Sequence, residues 1–182
     1  MPEPANGPVL ILTGPPGAGK TTTARLLAAD SQRAVHLESD SFFRFIQTGY
    51  IEPWKPESHR QNTVVMRIVA GAATGYADAG YLTIIDGIVL PGWFFEPLRD
   101  ALRDAGHPMA YAVVRPPLAV CLSRAAHRMA PRVPDAAVVE RLWQDFSDLG
   151  PLERHAIDVD VESAREIASM IARRYRDGQL ST

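Results

Sequence analysis

Residues Gly14-Pro15-Pro16-Gly17-Ala18-Gly19-Lys20-Thr21-Thr22 match the pattern G-x-x-x-x-G-K-[ST] in full. Each residue type has a chemical reason. Gly14, Gly17 and Gly19 let the backbone take positive φ and approach a polyanion closely. The N–H groups of such a loop turn inward and form an anion nest. Lys20 brings a compact ammonium on a flexible stem to the β- and γ-phosphates. The Thr21 hydroxyl is placed to ligate Mg²⁺. The following segment, Thr22 to Asp30, reads as a helix whose N-terminus adds a favourable partial charge. ATP with Mg²⁺ is the implied ligand, held along residues 14–22.

Two acids lie at expected strand C-termini, the edge where open α/β sheets bind ligands. Asp86 ends Leu-Thr-Ile-Ile-Asp and resembles a Walker B position, with Mg²⁺ or site organisation as its role. Gly87 follows where ATPase motors usually place a glutamate, so the local base for hydrolysis is missing, and a substrate gains room beside the backbone. Asp40, in Glu-Ser-Asp-Ser-Phe-Phe, is the candidate base. Phosphorylating a hydroxyl needs a carboxylate to orient it and accept its proton. Ser39 is the expected N-cap of the next helix. Phe43, Arg44, Trp54, Arg60, Gly87 and Trp93 are candidate acceptor residues beside Asp40 and Asp86, and His59 is a further candidate for the lining. A cationic group completes the set. Arg124 and Arg128 lie one turn apart, and Arg132 follows the Pro131 break. Such arginines stabilise the charge that shifts on phosphoryl transfer. Residues 124–134 suit a lid over ATP.

The elements that must position these groups alternate. Strands are expected at 8–13, 34–38, 81–86, 109–114 and 155–159. Helical stretches are expected at 39–47, 57–79, 93–105, 117–129, 135–148 and 162–176. Within 57–79 an apolar stripe runs through Val65, Ile68, Val69, Ala72 and Ala73. Along 117–129 the stripe is Leu118, Leu122, Ala125 and Met129, with Cys121 as a small buried neighbour. Strands alternating with helices predict an α/β fold, a parallel sheet covered on both faces. One domain across 1–182 is sufficient, with the lid at about 124–134 and a substrate-side helical segment at about 41–80.

Composition narrows the partners. The chain has 182 residues, a formal charge of −2, and 19 basic side chains, of which only Lys20 and Lys55 are lysines. A near-neutral balance disfavours nucleic acid. No apolar run reaches membrane-spanning length, so no membrane is expected. The start lacks the basic lead of a signal peptide, and the single cysteine permits no internal disulfide, so a cytoplasmic location is expected. The histidines are scattered without metal-ligand spacing. Monomer and homodimer both remain open.

Taken together, these motifs resemble the small P-loop kinases of the nucleoside-monophosphate-kinase-like fold. The pattern is most similar to the gluconate-kinase-like and chloramphenicol-phosphotransferase-like group. The resemblance spans residues 8–175 and rests on GPPGAGKTT, ESDSFF, TGYIEPW, LTIIDG and LSRAAHR. It implies a three-layer P-loop NTPase fold with a five-stranded parallel sheet in the order 2-3-1-4-5 and a short lid. It implies that Asp40 acts as base, and that Arg124 and Arg128 contact ATP phosphates or the adenine. Shikimate kinases carry Gly-Gly-Gly after the third strand, whereas this chain has Asp86-Gly87-Ile88. Neither asparagine, Asn6 or Asn62, precedes a lysine, so the guanine-reading Asn-Lys-x-Asp motif is missing. The expected activity is ATP-dependent phosphorylation of a hydroxyl on a small sugar acid, antibiotic or nucleoside. The alternatives are a nucleotide or nucleic-acid-end kinase, and an ATP-binding switch or toxin-like regulator without an acceptor.

Overall fold

Strands that are apolar at nearly every position, such as Val-Leu-Ile-Leu-Thr, suit a sheet covered on both faces. The computed structural model describes residues 6–127 and 135–182. It contains β1 (Val9–Thr13), β2 (Ala34–Glu38), β3 (Leu82–Asp86), β4 (Met109–Arg115) and β5 (Ala156–Asp158). They form one sheet in the order β2-β3-β1-β4-β5, with every pairing parallel. This is the order that the resemblance implied. Seven helices of the described residues surround it: α1 (Lys20–Ala29), α2 (Ser39–Arg44), α3 (His59–Asp78), α4 (Phe95–Asp104), α5 (Leu118–Ala126), α6 (Ala136–Asp145) and α7 (Ala164–Arg176).

The period-two alternation of strands divides the core. Val9, Ile11, Tyr111 and Val113 face one side, where they pack with Val65, Val69 and Ala73 of α3 and Leu98 and Leu102 of α4. Leu10, Leu12, Ala110 and Ala112 face the other, with Ala24 and Leu27 of α1 and Ile167 and Ile171 of α7. Helices therefore cover both faces. Arg115 holds the short β5 in place. It donates to Asp158 Oδ1 at 2.6 Å, to Glu153 Oε1 at 2.6 Å and to the Phe146 carbonyl at 3.0 Å. No helix among the described residues is long and apolar enough to cross a membrane.

Four local expectations change. Ile68, expected in the apolar stripe, is 54% exposed. Asn62, Met66, Ala70 and Ala77 join the buried arc of α3. At about 100° per residue they rotate that arc away from Ile68. On α5 the deepest residue is Cys121 itself, with Ala125, while Leu118 and Leu122 are half-buried. Ser39 is not an N-cap. It is the first residue of α2, buried, and Glu38 occupies the cap position without a side-chain bond. Finally, Trp93 lies before α4 rather than in it. Leu90 and Trp93 exchange backbone hydrogen bonds across the Pro91-Gly92 turn, at 3.0 and 2.9 Å. Phe94 then enters α4 with φ of 68°, the one positive value at a non-glycine among the described residues.

Candidate active site

The loop between β1 and α1 wraps tightly because its glycines lie against backbone. Gly17 has φ of 84°, and a Cβ there would sit 2.4 Å from the Cys121 carbonyl oxygen. Gly14 has φ of 146°, and its Cβ would lie 2.1 Å from the Val114 carbonyl oxygen. Pro15, Pro16 and Ala18 are buried around the turn. α1 begins directly after the loop with no side-chain cap, and the N-terminus of a helix is a ready site for an anion. Lys20 is only 9% exposed. Its ammonium donates to the carbonyls of Gly14 at 2.8 Å and Pro15 at 3.1 Å. Gly17→Ala is expected to destabilise the fold by about 1–3 kcal/mol. It is also expected to shrink the rise in melting temperature that Mg-ADP produces. Thermal unfolding with and without the nucleotide checks both.

Arg124 of α5 reaches this loop. Its Nη1 lies 3.5 Å from the Gly17 carbonyl. Arg128, Met129, Arg132 and the 128–134 part of the lid expected at about 124–134 lie outside the described residues. Cys121 supports the loop from beneath, and burial pushes its thiol up to about 11. A thiol held so is a packing group and not a nucleophile.

Asp86 ends β3 and is 2% exposed. His36 Nε2 of β2 lies 3.2 Å from its Oδ2. Burial alone pushes the Asp86 carboxyl up. The His36 hydrogen bond, the Lys20 charge and a hydrogen bond from Thr21 outweigh burial and hold it below its ordinary value. Sheet register sets Glu38 beside Asp86, and Asp40 follows as an exposed residue in the first turn of α2. A depressed carboxyl stabilises the fold above its unfolded value of about 3.9, and that contribution is lost as pH falls through the folded value. Urea unfolding from neutral pH down to about pH 3 is therefore expected to show a shallower loss in Asp86→Asn than in the parent.

His36 escaped the sequence reading. Its role depends on a partner 50 residues away. The available signal was its place two residues before Glu38 on the strand that neighbours Asp86. Gly87 also has a structural reason. A Cβ there would lie 2.3 Å from Ser39 Oγ, so β3 and α2 meet closely at this point.

Beside the phosphate-type loop lies a cavity of about 120 Å³. It brings together Pro16, Lys20, Thr21, Asp40, Phe43, Trp54, Asp86, Gly87 and Trp93 from the sequence reading. Arg44 and Arg60 are not in its lining. Arg44 is exposed and donates to Ser41 Oγ at 2.6 Å, and Arg60 is exposed at the start of α3. Thr22 is exposed on α1. Ser39, Pro53 and Ile88 also line it, as do Glu38, Asn62, Met66, Phe94 and Leu142, which were not proposed as site residues from sequence.

The irregular segment 50–55 is clamped to α3 by side chains. Gln61 pairs with both backbone groups of Ile51, at 2.8 and 2.6 Å. Asn62 Nδ2 donates to the Pro53 carbonyl at 2.8 Å, and Ser58 Oγ donates to the same oxygen at 2.8 Å. Arg141 of α6 donates to the Trp54 carbonyl at 3.1 Å. Backbone groups that no strand or helix satisfies thus find partners, and Trp54 is fixed in the cavity wall.

Residues 9–149 match the sequence profile of a family described as an AAA domain. None of the curated proteins matches the chain. Among solved structures, the tunicamycin resistance protein of Deinococcus radiodurans is 20% identical, with a TM-score of 0.69 over 93% of this chain and 95% of that one. Shikimate kinase from Acinetobacter baumannii in complex with shikimate is 24% identical, with a TM-score of 0.66 over 97% of each chain. The APS kinase of Mycobacterium tuberculosis in complex with AMPPNP and APS is 17% identical, with a TM-score of 0.69 over 95% of this chain and 99% of that one. At these identities the likeness is one of fold.

Proposed function

The chain belongs to this AAA-domain family, and from that premise we propose that it transfers the γ-phosphoryl group of ATP to a hydroxyl of a small molecule. One observation carries the reading. Lys20 and Thr21 of the phosphate-type loop line the same cavity as Asp40, Asp86 and an aromatic wall. A hydrolase needs only water there; a walled cavity beside the loop provides for a second substrate.

In this reading the loop N–H groups and Lys20 cradle the triphosphate. Arg124, at the loop's edge, adds charge where negative charge moves from the γ- to the β-phosphate. Thr21 and Asp86 form an oxygen donor set that fits Mg²⁺, which is usually held by one or two protein groups together with phosphate and water. Bound Mg²⁺ neutralises phosphate charge. Asp40 orients the acceptor hydroxyl and takes its proton. The hydroxyl oxygen bonds to the γ-phosphorus, the bond from that phosphorus to the bridging oxygen breaks, and ADP leaves. The 41–80 segment, with Phe43 and Trp54, holds the acceptor.

The test is ADP formation from Mg-ATP with and without a panel of small alcohols. Acceptor-stimulated turnover with a phosphomonoester product is expected. The reading fails if no alcohol stimulates turnover and Asp40→Asn leaves basal turnover unchanged. A protein partner whose affinity depends on the bound nucleotide would then favour the switch.

A further inference from the structure

Asp86 has partners of two kinds. Lys20 and Thr21 act on its carboxylate from α1, and His36 acts on it from β2. The α1 pair has other work once a nucleotide is bound. Lys20 belongs to the phosphate-type loop, where it sits on the Gly14 and Pro15 carbonyls. Thr21 shares the proposed Mg²⁺ donor set with Asp86. His36 does not line the cavity, so neither nucleotide nor acceptor draws it away. We infer that His36 is the positioning residue for the metal-binding carboxylate. Its ring N–H fixes the orientation in which Asp86 meets Mg²⁺, while the α1 partners turn to phosphate and metal. This role depends on the phosphotransfer reading through its metal site alone.

The sheet builds the contact. In the parallel register of β2 and β3, His36 stands opposite Ile84, and Glu38 stands opposite Asp86. Residues two apart on a strand share a face, so His36 and Asp86 are diagonal neighbours on one face of the sheet. At that spacing a long side chain reaches where a short one does not. Nε2, the far nitrogen of the ring, lies 3.2 Å from Asp86 Oδ2. A carboxylate offers only lone pairs, so Nε2 carries the proton and donates it. Both side chains are enclosed, with 14% of His36 and 2% of Asp86 exposed. Water competes poorly for a bond held in this way, and the ring has little freedom to leave it. Without that bond the carboxylate is free to turn about its own side-chain torsions. The Lys20 charge is near enough to act on it. A carboxylate turned toward that ammonium would tie up the cation that the phosphates need.

The probe is ADP carrying a fluorescent label, titrated against the full chain in EDTA and again over a range of Mg²⁺. The readout is the Mg²⁺ concentration at which the gain in ADP affinity is half-maximal, and it needs no acceptor. His36→Leu removes the donor and is expected to raise that concentration ~10- to 100-fold, the usual worth of a hydrogen-bond partner behind a metal ligand. Affinity in EDTA is expected to stay at the parent value. His36→Gln places an amide N–H near the position of Nε2 and is expected to recover most of the loss. His36→Asn is polar but shorter, and is expected to resemble His36→Leu. The glutamine and asparagine variants differ by one methylene, so their comparison decides between positioning and packing even where the leucine variant folds poorly. Thermal unfolding without ligand reports the fold of each. A parent-like Mg²⁺ requirement in His36→Asn overturns the inference. So does an equal loss of ADP affinity with and without Mg²⁺, which would make His36 a support for the loop. An ADP affinity in the parent that ignores Mg²⁺ overturns it together with the metal site. If the expected shifts appear and no alcohol is phosphorylated, the role of His36 stands and the phosphotransfer reading fails.

Discussion

Lys20→Ala is expected to lower ATP turnover by at least ~10³-fold while the protein stays folded. The side chain is nearly buried, and its ammonium sits on the Gly14 and Pro15 carbonyls. Truncation removes the one cation that lines both the loop and the cavity among the described residues. It also removes a charge that helps keep Asp86 ionised. Both losses act where negative charge builds, and neither can be restored by water in a site this enclosed. Lys20→Arg is expected to recover little. The planar guanidinium is broader than an ammonium and cannot sit at the same point between two carbonyls. ADP release measures the effect, and circular dichroism with thermal unfolding shows whether the fold persists. Full activity in the alanine variant would remove the basis for any role of this loop.

Asp40→Asn is the second large effect. The expected loss is ~10²- to 10⁴-fold in kcat, the usual worth of a positioned general base. KM for ATP should remain near that of the parent, because Asp40 stands on α2 and not on the phosphate-type loop. Asparagine keeps the size and the hydrogen-bonding oxygen, so it isolates proton acceptance from packing. Steady-state kinetics with a phosphorylated acceptor, varied against each substrate in turn, separates the two parameters. An equal rise in both KM values with kcat intact would assign Asp40 to binding instead of proton transfer.

Much of the frame was legible because it rests on local pattern. Apolar runs marked β1, β3 and β4, the alternation of strands and helices pointed to β2 and the short β5, and the spacing of glycines and Lys20 marked the loop. Asp86 was legible because it ends a strand, and Asp40 because it follows one by two residues. What escaped reading depends on register between distant segments. His36 meets Asp86 only once β2 lies against β3. Gln61 and Asn62 look like ordinary polar residues near a helix start, yet they hold Ile51 and Pro53. Ser39 has the residue type of a cap, but close packing against Gly87 draws it inward. Arg44 and Arg60 stand out by charge, yet neither lines the cavity, whose walls carry three carboxylates and several aromatic side chains. Local periodicity tells which face of an element is apolar. It does not tell which polar groups another element will bring opposite.

Phe94 stands at a crossroads for adaptation. Its left-handed backbone costs of order 1–3 kcal/mol, and glycine or asparagine would occupy the same conformation with less penalty. The phenyl ring stacks on His59 and lines the cavity beside the phosphate-type loop and a second one next to it. Selection for heat resistance alone therefore pushes this position toward a small residue and erodes the aromatic wall. Selection for a bulkier substrate pushes the same way, so new specificity at this position arrives together with a more relaxed backbone. Libraries seeking altered acceptor range have a natural starting point there, because exploration at that codon need not begin by sacrificing backbone stability.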